Sequence, residues 1–192
     1  AATAARPEVT VFWRFLVTAV AFVPVLLFMR RSAARFPRAG ALEPRFAAMG
    51  LRAWLYTAAA AASMVGYNML FFSGLRLGLA GIGGVLVPTL SALVTGLVAM
   101  ALNRRRPGPL ATIGLVAGLA GGLVILQFWR FGADELARSG NLLFIAAAFA
   151  WSAVTIFSQR AQAAAHFATH SFAVYALAAV FALPFALAGG SL

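Results

Sequence analysis

Cysteine and lysine are both missing from this chain of 192 residues. Without cysteine there are no disulfides, no thiol nucleophile and no thiolate metal ligands. Acidic groups are almost as scarce, with Glu8, Glu43, Asp134 and Glu135 the complete set, and the only histidines are His166 and His170. None of these six residues falls inside the long apolar runs that make up most of the chain. Intramembrane proton relays and buried acid or base catalysis need an ionisable group at depth, so these residues offer neither. No catalytic residue, cofactor site or metal site is therefore assigned. His166 and His170 have the i, i+4 spacing of a helical metal pair, but the sequence reads as a loop there and supplies no third ligand. An intramembrane serine hydrolase lacks its histidine for the same reason.

What remains is mostly apolar. Hydrophobic residues are 63% of the chain, charged residues 10%, and the mean hydropathy is +0.93. A soluble domain of this size could not cover its surface with so few polar groups, so the chain belongs in a lipid bilayer. The net charge of +11 comes from fifteen arginines set in short runs between the apolar segments. That placement fits membrane orientation and argues against nucleic acid as a partner.

Six segments are long and apolar enough to be spanning helices: residues 11–29, 54–75, 80–102, 110–127, 141–157 and 171–187. The fold class is an all-α polytopic membrane protein with six transmembrane helices. The loops after the first, third and fifth segments hold ten arginines and Glu43, net +9, whereas the opposite side holds five arginines and three acids, net +2. The arginine-rich side is cytoplasmic by the positive-inside rule, so the chain begins outside, the first segment runs inward and the sixth runs outward.

Two of these segments echo each other. Phe12 to Leu27 and Phe172 to Leu187 align at a constant offset of 160, with five of sixteen positions identical, Pro24 on Pro184 and Phe15 facing Tyr175. Five crossings separate the copies, so they run in opposite directions. Internal symmetry of this kind points to a transporter made of two inverted halves. A five-helix unit with an inverted twin would have ten helices, which leads us to expect one helix before Ala1 and about three after Leu192.

The polar groups inside the spans fall on three segments. Ser63, Tyr67 and Asn68 lie on the second, Pro88, Thr89 and Ser91 on the third, and Trp151, Ser152 and Thr155 on the fifth. Pro88 cannot donate a helix hydrogen bond and so frees a carbonyl, which a membrane tolerates where a neighbour or a cavity satisfies it. Trp151 sits near mid-helix, away from the interfaces that tryptophan favours. Each residue alone is accounted for by helix packing, but three elements with polar or aromatic groups at similar depth point to a midplane cavity. The substrate-contact candidates are Ser63, Tyr67, Asn68, Pro88, Thr89 and Trp151. Arg14, about one turn into the first span, reads as a snorkelling side chain or as an anion contact at the outer mouth. Gly114, Gly118 and Gly122 read as a helix-packing face, and Gly78, Gly81, Gly83 and Gly84 as packing or a hinge.

The runs GVLVPTLSALVTGLVAMAL from Gly84, GLVAGLAGGLVIL from Gly114 and GNLLFIAAAFAWSAVTIFSQR from Gly140, with the FWRF entry at Phe12, resemble the EamA domain of the drug/metabolite transporter superfamily. The family's acidic residue after its fourth helix has no counterpart here, where Leu102, Asn103 and Arg104 stand. The resemblance implies ten helices in two inverted five-helix repeats. Residues 1–139 would then hold the second to fifth helices of the first repeat, and residues 140–192 the sixth and seventh. It also implies a multi-pass protein of the bacterial cytoplasmic membrane that exports or exchanges small metabolites, amino acids or drug-like solutes by alternating access. The expected partners are such a solute and the lipid bilayer. The rival readings are a non-transporting membrane assembly subunit and an intramembrane enzyme.

Overall fold

The computed structural model describes residues 6–35, 46, 49–77, 80–103, 108–125 and 139–188. Among them are six α-helices and no strand: α1 (Pro7–Arg35), α2 (Leu51–Leu77), α3 (Ala80–Asn103), α4 (Pro109–Ile125), α5 (Ser139–Gln162) and α6 (Phe167–Ala188). Five of them, all but α4, are long and apolar enough to cross a membrane. Large apolar side chains point outward along them, with Phe28 71% exposed and Leu110 on α4 82% exposed. Such a surface suits lipid, and the protein is a polytopic all-α membrane protein.

The helices generally overrun the apolar segments. The first was expected over residues 11–29, but α1 has 29 residues, about 43 Å at 1.5 Å per residue, against a hydrocarbon layer of about 30 Å. The hydropathy pattern marks where lipid ends, whereas the backbone stays helical until something breaks it, and the arginines beyond Met29 do not. Pro7 is tolerated at the first position because its missing N–H would have had no helical partner there. α4 behaves differently, with 17 residues and about 26 Å. Leu126 and Gln127, expected at its end, lie outside the described residues, as do Gly78 and the arginine loop 104–106.

The chain divides into two compact units, the first drawn from Ala1–Val65 and Phe157–Leu192, the second from Gly66–Ile156. In the first unit α1 packs on α6. Val11, Phe15, Ala19 and Leu26 form its buried stripe at helical spacing. The Tyr175 ring of α6 lies between two rings of α1, 6.3 Å from Phe15 and 5.9 Å from Phe22. Pro24 and Pro184 sit inside these two helices and leave the carbonyls of Val20 and Val180 without their usual N–H.

The structure corrects the loop reading at His170. This residue is in the opening turns of α6 and only 2% exposed, because the helix starts at Phe167, four residues before the apolar run. His166 makes that early start possible: its Nδ1 accepts the Ala168 N–H at 3.3 Å, a side-chain cap on a helix-end amide. His170 Nδ1 instead lies 3.2 Å from Thr57 Oγ1 on α2, and the Thr57 hydroxyl is also 2.8 Å from the Ala53 carbonyl. The two histidines thus do separate structural work.

In the second unit α3 and α4 form an antiparallel pair with two close approaches. A methyl at Gly122 would stand 2.7 Å from Thr89 Cγ2, and one at Gly96 would stand 3.3 Å from Leu115 Cδ2. Thr89 and Gly96 are seven residues apart on α3, and Leu115 and Gly122 seven apart on α4, the two-turn interval at which packed helices meet again. Gly114 and Gly118 have nothing within 4 Å, so of that glycine series only Gly122 is in close contact. Phe144 of α5 is fully buried with Ile82, Val87, Ala147 and Ala148. Its ring fills the space left by Gly74, where a methyl would come within 2.7 Å, and by Gly83, where a methyl would overlap it outright.

Candidate functional site

The second unit contains a cleft of about 740 Å³ whose walls come from α2, α3 and α5. On α2, Tyr67 and Phe71 are one turn apart and stack at 5.7 Å, which lays an aromatic stripe along one face. Trp151 completes it from α5, its ring centroid 4.7 Å from that of Tyr67 and inclined by 56°. Phe71 continues the stripe inward to Phe144 at 5.8 Å. Trp151 remains 38% exposed, so its indole is a wall of the cleft and not part of the core.

The opposite wall is α3, where Gly84, Pro88, Ser91 and Thr95 follow one another at intervals of three and four residues and so share a face. Pro88 has no N–H to return to the Gly84 carbonyl, and both residues line the cleft. The Ser91 hydroxyl donates to the Pro88 carbonyl at 3.0 Å, and Thr155 on α5 donates to the Trp151 carbonyl at 3.1 Å. Deeper, Ser152 fixes α5 to α3: its Oγ lies 3.1 Å from the Ser91 carbonyl and 2.9 Å from that of Ala148. None of the lining residues carries a charge at neutral pH. Among the described residues no group of three or more histidine, aspartate or glutamate side chains could hold a metal ion.

Of the substrate-contact candidates, Tyr67, Pro88 and Trp151 meet in this cleft. Asn68 and Thr89 each follow a lining residue but are not among the residues that line the cleft. Asn68 is buried at 3% exposure, and Thr89 sets its methyl against Gly122. Ser63 lies one turn before Tyr67, in the part of α2 assigned to the first unit, and is not among the lining residues. Arg14 is exposed, and its carbonyl accepts the Thr18 hydroxyl at 2.7 Å. Sequence reasoning passed over Phe71 and Thr95 as candidates. Both lie one turn beyond a residue already singled out, Tyr67 and Ser91, and that interval was the available signal.

Comparison with protein families matches residues 2–127 to the model of the EamA-like transporter family, a stretch that begins before α1 and ends just past α4. The run from Gly140, part of the resemblance noted above, lies beyond the matched stretch. No curated protein matches the chain, and no solved structure does. The matched stretch is more than half of the chain, so this protein belongs to the EamA-like transporter family.

Proposed function

We propose that the protein is a secondary transporter of the bacterial cytoplasmic membrane that exports small metabolites, amino acids or drug-like solutes by alternating access. The observation that carries this reading is the cleft of about 740 Å³ with an aromatic wall facing a hydroxyl- and carbonyl-bearing wall. Its volume falls in the range of small-molecule sites, about 300 to 1,000 Å³, and its apolar walls with a few polar groups match their usual make-up. Tyr67 and Trp151 would pack on the apolar body of the solute, while the α3 groups would fix its orientation by hydrogen bonds. Family membership supports membrane transport as the general activity.

Saturable solute flux in proteoliposomes tests the proposal. Trp151→Ala protein that folds and inserts should show changed uptake or efflux kinetics. Unchanged kinetics across several solutes would remove the cleft from the transport path. Complete lack of flux by the unmodified protein would favour a non-transporting assembly subunit.

A further inference from the structure

We infer that the cleft takes solutes in their uncharged form, specifically flat heteroaromatic molecules that bring N–H or O–H donors, and that it rejects anionic and cationic molecules of the same shape. This rests on the transport reading of the same cleft and names its substrate class. Three observations combine to carry it.

The first is the shape and character of the α2 and α5 wall. The rings of Tyr67, Phe71 and Trp151 offer extended faces, and a planar solute covers such faces with more apolar contact than a branched one. The second is the polarity of the groups opposite and beside these rings. Pro88 leaves the Gly84 carbonyl without its helix donor on the lining. Ser91 and Thr155 have their hydroxyl protons committed to the Pro88 and Trp151 carbonyls, which leaves oxygen lone pairs as what they present. These oxygens and the Gly84 carbonyl accept hydrogen bonds, so they suit a ring amide or ring N–H. A carboxylate, which only accepts, meets the wrong partners.

The third observation is the lack of compensating charge among the lining residues. A cation entering the cleft would find no carboxylate, only ring faces and carbonyl dipoles, and cation–π attraction returns less than full dehydration of the charge costs. An anion would find neither arginine nor histidine. Neutral solutes avoid both penalties.

Two isosteric series test this on the full protein: nicotinamide, nicotinate and 1-methylnicotinamide, and indole-3-acetamide, indole-3-acetate and tryptamine. Quenching of fluorescence at Trp151, with Trp13, Trp54 and Trp129 replaced by phenylalanine and Trp151 supplied as 5-hydroxytryptophan so that it is excited where the indole solutes do not absorb, reads binding in detergent, and counterflow in proteoliposomes reads transport. The neutral member of at least one series should quench at concentrations about tenfold lower than its charged partners, the ratio equivalent to about 1.4 kcal/mol. Charged members quenching as well as neutral ones, or no quenching by either neutral member, overturns the inference. Neutral-selective quenching without saturable flux overturns the transport reading and supports the charge selection. Thr95→Asp and Thr155→Asp, each placing a carboxylate on the lining, should shift the preference toward tryptamine. Failure of both, in protein whose unfolding temperature is unchanged, also overturns it.

Discussion

Phe15 and Tyr175 are in ring contact at 6.3 Å, and they are also a pair that the 160-residue sequence offset aligns. Ala19 and Ala179, identical at the same offset, are both buried, as are Leu26 and Ala186. When a two-fold axis relates two packed helices, equivalent positions approach each other only near that axis. Contact between Phe15 and Tyr175 is an arrangement that such symmetry would allow.

Tyr175→Ala should therefore cost more than Phe22→Ala, since Tyr175 touches both α1 rings and Phe22 only one of the pairs. The loss should be about 1 to 3 kcal/mol for a half-buried ring. Phe15→Ala combined with Tyr175→Ala should destabilise less than the separate losses added together, as expected for residues in contact. Thermal unfolding in detergent measures all three.

Gly83 and Gly84 are neighbours with opposite predicted tolerance. Alanine at Gly83 would overlap the Phe144 ring, while alanine at Gly84 meets nothing within 4 Å. Gly83→Ala should lower stability by about 1 to 3 kcal/mol through overpacking, and Phe144→Leu in the same chain should recover part of it. Gly84→Ala should leave the unfolding temperature nearly unchanged. Equal effects at the two positions would contradict the packing of α5 on α3.

The α3–α4 contact is testable by rescue. Gly122→Ala should weaken it because the added methyl would stand 2.7 Å from Thr89 Cγ2, and Thr89→Ser removes that methyl while keeping the hydroxyl. The double variant should be more stable than Gly122→Ala alone by about 1 kcal/mol. Solute flux by Thr89→Ser should stay close to that of the unmodified protein, since Thr89 is off the cleft lining.

Thr57→Val should leave His170 Nδ1 with no partner at 3.2 Å in a fully buried setting. A lost partner for a buried polar group costs about 1 to 3 kcal/mol. His170→Phe combined with Thr57→Val should be milder than the sum of the single changes, because removing both polar groups leaves nothing unpaired. A double-mutant cycle on unfolding temperature checks the coupling.

Trp151→Phe should retain most of the transport activity and Trp151→Ala should raise the half-saturating solute concentration by about tenfold. Phenylalanine keeps a flat ring against Tyr67 at the 4.7 Å contact, and alanine removes it. Initial rates across a solute series in proteoliposomes measure the difference.

Hydropathy alone located the six helices found among the described residues, because an apolar run of roughly bilayer length is a property of consecutive residues. Helix ends were less legible. His166 caps α6 through a side chain, and arginines beyond Met29 allow α1 to continue, so neither end coincides with the edge of the apolar run. The cleft was legible to the level of which helices line it. Tyr67, Pro88 and Trp151 were singled out by unusual residue type at mid-helix, whereas Asn68 and Thr89 were equally polar and at the same depth. Their exclusion depends on rotation about the helix axis, and these nearly uniformly apolar helices carry little amphipathic pattern from which that rotation could be read.

By itself the sequence determined membrane residence and the approximate place of each helix, since partitioning into lipid acts on each apolar segment separately. Only the tertiary structure decided which face of each helix meets another. It brought Trp151 to Tyr67 across 84 positions, put Phe144 into the gaps at Gly74 and Gly83, and buried His170 against Thr57. Those outcomes depend on the shapes of side chains distant in sequence fitting together. Close packing at van der Waals distance sets them, and no single segment contains both surfaces of the fit.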